Sequence, residues 1–151
     1  MSWSGRLAEI GVVLPPVATP AGVYVPAVRS GSLVFTAGQL PLVDGALAAT
    51  GKLGAEIGTE RGQELARTCA LNALAAVDDL VGLDAVVRVV KVVGFVASAP
   101  GFTAQPAVLN GASALLGEVF GAAGAHARSA VGVAELPLGA PVEVELVVEV
   151  C

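Results

Sequence analysis

The stretch Val86–Ser98 limits the possible folds more than any other part of this chain. Seven of its thirteen residues are valine. Side chains branched at Cβ favour a pleated strand over a helix. Strict alternation puts Val87, Val89, Lys91, Val93 and Phe95 on one face and Val86, Arg88, Val90, Val92 and Val96 on the other. Both faces are mostly apolar, so the segment is expected at the centre of a sheet and covered on both sides. Arg88 and Lys91 interrupt the run, whereas a membrane-spanning helix needs about 20 apolar residues in succession. No membrane association is expected from it.

The chain's C-terminal part, from His126 to Val150, reads as strand, turn, strand. Leu136-Pro-Leu-Gly-Ala-Pro141 supplies the turn, because proline and glycine do not continue a strand easily. On the first strand Arg128, Ala130, Gly132 and Ala134 share a face with almost no bulk besides the guanidinium. On the second, Val142, Val144, Leu146, Val148 and Val150 share one face, and Glu143, Glu145, Val147 and Glu149 the other. Two readings of Arg128 follow. It is a surface arginine paired with Glu143 or Glu145, which contributes little. Alternatively, the missing bulk leaves room for a ligand, and a planar fork suits a carboxylate.

The remaining elements follow from pattern. Residues 4–10 read as a short helix capped by Ser4, followed by a loop holding Pro15, Pro16 and Pro20. Tyr24–Val28 and Ser32–Gln39 read as paired strands joined by Arg29-Ser-Gly31. Tyr24, the only tyrosine, is expected to pack at a strand edge with its hydroxyl in water. Residues 41–54 read as a loop. The Gly51-Lys52 pair there is not a phosphate loop, because its glycine spacing is wrong and Leu53 stands where Ser or Thr should hold magnesium. Thr59–Val81 reads as the longest helix, capped by Thr59, with Ala66, Cys69, Ala70, Ala73, Val77 and Leu80 as its apolar stripe. Cys69 on that stripe is read as a small core residue. A second helix is expected from Gln105 to Phe120, with Val108, Ala112, Leu115, Leu116, Val119 and Phe120 buried, and slightly weakened by Asn110 and Gly111. Strand, strand, helix, strand, helix, strand, strand makes an α+β layer with two helices on one face of a mixed sheet.

Composition narrows the function classes. The chain is 55% hydrophobic, with a mean hydropathy of +0.80. Without a membrane span, that excess implies apolar surface buried against other copies, hence a homo-oligomer. A net charge of −5 argues against nucleic acid as the main partner. Two cysteines and one histidine leave no disulfide framework, and no metal site is expected. The first residues carry no secretory pattern, so a cytoplasmic location is expected.

Several motifs resemble the RidA (YjgF-type) reactive-intermediate deaminase family. They are Tyr24-Val-Pro-Ala-Val-Arg-Ser-Gly31, Leu33-Val-Phe-Thr-Ala-Gly-Gln-Leu-Pro41, Asn72 in the long helix, and Ala127-Arg-Ser-Ala-Val-Gly-Val-Ala-Glu-Leu-Pro137 with Val142-Glu-Val-Glu145. The resemblance covers roughly residues 20–150 and leaves about 1–19 as an N-terminal extension of a single domain. It implies a chorismate-mutase-like fold and a homotrimer with clefts between subunits. It also implies hydrolysis of enamine or imine intermediates to 2-keto acids and ammonia, with no cofactor. By the same resemblance Arg128 would grip the substrate carboxylate and Glu143 would position or activate water. Tyr24 would come from the neighbouring subunit, and Gly38 and Ala130 would line the cleft. Ala130 stands where the best-known members have cysteine, and the 137–141 turn lacks their lysine, which marks a divergent branch. Two other readings stand beside the enzyme: a module that binds a small carboxylate without turnover, and a ribonuclease, which the acidic charge and the single histidine oppose.

Overall fold

The computed structural model describes residues 2–151. Helix α1 (Trp3–Glu9) is followed by strands β1 (Ala27–Ser30), β2 (Leu33–Thr36), β3 (Leu42–Val43) and β4 (Ala46–Leu47). Then come α2 (Thr59–Val81), β5 (Val86–Ala97), α3 (Gln105–Phe120), β6 (Ala127–Val133) and β7 (Val142–Val150). Five strands form one sheet in the order β1-β2-β7-β5-β6, and β3 and β4 pair separately. β5 and β6 run parallel, and the other neighbours are antiparallel. This is an α+β fold with three helices and a mixed sheet.

Both long helices begin and end where their periodicity places them. The apolar sides of α2 and α3 face the sheet, whose inward residues are Val34, Val89, Val92, Val96, Val142, Val144, Leu146 and Val148. Cys69 is fully buried, and desolvation above all pushes its thiol pKa well up, so it is a core residue rather than a nucleophile. By length and apolarity alone Gln105–Gly124 could cross a membrane. Here it is the core helix with the turn after it, and Val108, Leu109, Ala112, Leu115 and Leu116 are buried.

The structure corrects several expectations. Residues 127–150 are not a hairpin. β6 pairs in parallel with β5, and β7 lies on the other side of β5. Proximity in sequence favoured the hairpin, but the link after β6 carries the chain across β5 to the middle of the sheet. Strict alternation fails in β5, where register shifts between Val86 and Arg88 and between Val89 and Lys91 bring Val86, Val89 and Val92 inward together. Only one face of β5 is covered within the protomer, while Lys91, Val93 and Phe95 are half-exposed. Leu80 is exposed rather than part of the stripe. Gly58, not Thr59, occupies the N-cap of α2. Ser2, not Ser4, caps α1 by accepting from the Gly5 N–H at 3.0 Å. The first two strands are shorter than expected, and Tyr24 precedes β1. Residues 41–54 contain the β3–β4 hairpin, whose Asp44-Gly45 turn has φ of 51° and 80°, as Asp-Gly favours.

Candidate functional site

The sequence-expected residues fall into two separate groups. The first lies where β2 joins β7. Phe35 pairs with Val147, and Gln39 bridges to Val144. Three residues between these pairs on one strand therefore face two on the other, so the chain bulges between them. The bulge sets Gly38 against Glu143, and a Cβ at Gly38 would coincide with the Glu143 carboxylate. Gly38 and Tyr24 line one small hollow of about 50 Å³ with Pro26 and Leu40. The Tyr24 hydroxyl accepts from the Ala21 N–H at 3.1 Å, and the side chain is half-exposed. Burial, and secondarily the charge of Glu145, raise the Glu143 pKa above the usual glutamate range.

The second group lies at the far edge of the sheet. Arg128 pairs with Val92 and Ala130 with Gly94, so both side chains face the helices. Glu143 pairs with Phe95 and faces the open side. β5 separates the two strands, about 10 Å across two strand spacings. Within one protomer, then, Arg128 and Glu143 are not on paired strands and cannot grip one small molecule together.

Nor is Arg128 paired with its own glutamates. Its Nη1 donates to Asn110 Oδ1 at 2.8 Å and to Ser113 Oγ at 3.1 Å, and its Nη2 donates to the Pro106 carbonyl at 3.3 Å. All three acceptors are neutral. A guanidinium has five donors, and Nε–H and the second Nη2–H have no acceptor among the described residues. The charge is held in place and left uncompensated. Asn110 and Ser113 sit three residues apart on one face of α3. That spacing is a signal in the sequence, where by helix propensity Asn110 is no more than a weak helix former. His126 completes the group: its Nε2 lies 2.9 Å from Ser113 Oγ and its Nδ1 lies 2.6 Å from the Gly124 carbonyl. Asn72 is buried and structural, its Nδ2 donating to the Leu40 and Leu42 carbonyls.

The α+β protomer thus carries a fixed arginine with no acidic partner among the described residues on its edge strand, and a half-buried carboxylate on its middle strand. The chain matches the family model described as Endoribonuclease L-PSP over residues 16–150, and it belongs to that family, the YjgF/RidA family. It is 49% identical over 152 residues to Protein TCP17 of Trypanosoma cruzi, covering 97% of this chain and 95% of that one. It is similar to the crystal structure of a putative endoribonuclease from Shewanella oneidensis MR-1, with 33% identity, TM-score 0.95, and 99% and 100% of the two chains covered. The crystal structure of E. coli TdcF with bound serine matches at 26% identity and TM-score 0.67, covering 89% of this chain and 94% of that one.

Proposed function

We propose that the protein hydrolyses reactive enamine and imine intermediates to 2-keto acids and ammonia, in clefts between the copies of a homotrimer. The uncompensated guanidinium of Arg128 carries this reading: two free N–H groups on a fixed arginine fit a carboxylate. TdcF, a relative, holds serine, an amino acid with the same carboxylate. The half-exposed open face, with Phe35, Phe95 and Val131, supports assembly. Copies packed across it would bring the Arg128 edge of one protomer to the Glu143, Gly38 and Tyr24 group of the next.

In that cleft the imino acid's carboxylate binds Arg128. Water adds to C2, and its proton passes to Glu143, whose raised pKa brings it closer to the working range of a general base. Glu143 returns the proton to the nitrogen. The C2–N bond breaks as the carbonyl forms, and the remaining hydroxyl proton passes to the nitrogen, which leaves as ammonia. No step calls for a cofactor. The serine bound in TdcF also supports a second reading, in which the site binds a small carboxylate without turning it over. A ribonuclease role, which the family description names, is opposed by the −5 charge.

The test is ammonia release from 2-aminoacrylate generated in situ. The wild type is expected to accelerate it, and Arg128→Ala to abolish the acceleration. Calorimetric binding of 2-keto acids with no acceleration would leave the binding-only reading standing. RNA degradation by wild type but not by Arg128→Ala would favour the nuclease.

A further inference from the structure

The only histidine of the chain lies beside the arginine on which the proposed function rests. With the imidazole in its neutral form, hydrogen-bond chemistry gives every link between them a direction. The Gly124 carbonyl can only accept, so His126 Nδ1, 2.6 Å away, carries the proton. In a neutral imidazole the other nitrogen must then accept. Ser113 Oγ, 2.9 Å from Nε2, therefore donates its single hydroxyl proton to His126. That leaves only lone pairs on Ser113 Oγ facing Arg128. Arg128 can only donate, and its Nη1–H points at those lone pairs across 3.1 Å. The chain runs one way, from Arg128 through Ser113 and His126 to Gly124.

We infer that Ser113 and His126 are positioning residues for carboxylate binding, acting through Arg128. Ser113 and Asn110 hold both Nη1 hydrogens, and Pro106 holds one of Nη2. The guanidinium is thereby kept against α3, and Nε–H and the second Nη2–H are left without an acceptor among the described residues. Those two donors suit a planar carboxylate bound by parallel hydrogen bonds. Without His126 the Ser113 hydroxyl can rotate, and its proton can turn toward the guanidinium, where it opposes the bond that holds Arg128. Neither residue needs to touch the ligand. This inference rests on the reading of Arg128 as the carboxylate anchor.

Calorimetry with pyruvate, and with pyruvamide as its uncharged analogue, tests it in the full-length protein. Wild type is expected to prefer pyruvate. Ser113→Ala should weaken pyruvate binding about tenfold, the scale of a hydrogen bond to a charged group, with pyruvamide binding unchanged. Two substitutions at His126 separate positioning from bulk packing. His126→Gln places an acceptor near Nε2 and should bind pyruvate within about threefold of wild type. His126→Asn reaches only toward Gly124 and should weaken pyruvate about tenfold. Equal pyruvate affinity in wild type, Ser113→Ala and His126→Asn, all folded by circular dichroism, would overturn this inference alone. So would His126→Asn preserving binding while His126→Gln loses it. A wild type that binds neither ligand would overturn the Arg128 reading together with this one.

Discussion

At the scale of single residues, Gly38 and Glu143 behave as one unit. A methyl at Gly38 meets only the end of the Glu143 side chain, which is flexible, so the fold can accommodate it. Gly38→Ala is expected to leave the melting temperature within a few degrees of wild type but to displace the carboxylate and lower turnover at least tenfold. Thermal denaturation and the ammonia assay on one preparation check both halves. The raised Glu143 pKa has its own signature. Burial and Glu145 disfavour the ionised form in the fold. The stability contribution is complete below the unfolded-state pKa and is lost as pH rises through the higher folded value. Glu143→Gln should therefore be more stable than wild type at about pH 7 and no more stable at about pH 3.5. Urea denaturation at both values measures this. Arg128 was legible because a guanidinium among small residues is unusual in any strand. Its neighbours were not, since Asn110 and Ser113 reach it from a helix whose placement against β6 the sequence does not state.

At the scale of elements, α2 and α3 are bound together at a glycine. A Cβ on Gly111 would coincide with the backbone carbonyl of Gln63 in α2, which cannot move aside as a side chain can. Helix propensity alone favours alanine over glycine by about 1 kcal/mol. Overpacking against backbone should reverse the sign, so Gly111→Ala is expected to destabilise by roughly 2 kcal/mol. Equilibrium denaturation decides it. Both long helices were legible because an apolar stripe recurs at helical spacing along each, although the cap of α2 is Gly58 rather than Thr59 and Leu80 lies outside the stripe. Strand partners were not. Val86–Ala97 declared itself central, yet whether β6 or β7 lay beside it depended on where the link at 134–141 crosses, and no local pattern records that. The same gap hid the fact that Arg128 and Glu143 point to opposite faces.

At the scale of the whole molecule, the two half-sites predict complementation. Arg128→Ala and Glu143→Gln should each be inactive alone. If one cleft draws on two copies, subunits unfolded together and refolded as a mixture should regain about a quarter of wild-type turnover, from clefts that receive both intact residues by chance. A mixture no more active than its parts would overturn a cleft shared between copies. The N-terminal segment, expected to be an appendage, is anchored to the core. The ring of Trp3 meets Phe120 edge-on with centroids 5.2 Å apart, and its Nε1–H donates to the Val86 carbonyl at 2.7 Å. As the chain's sole tryptophan, it is a built-in optical reporter on that seam. Its emission will register the first helix peeling from the end of α3, and a gap between the fluorescence and circular-dichroism melting curves would reveal the amino terminus letting go before the sheet does.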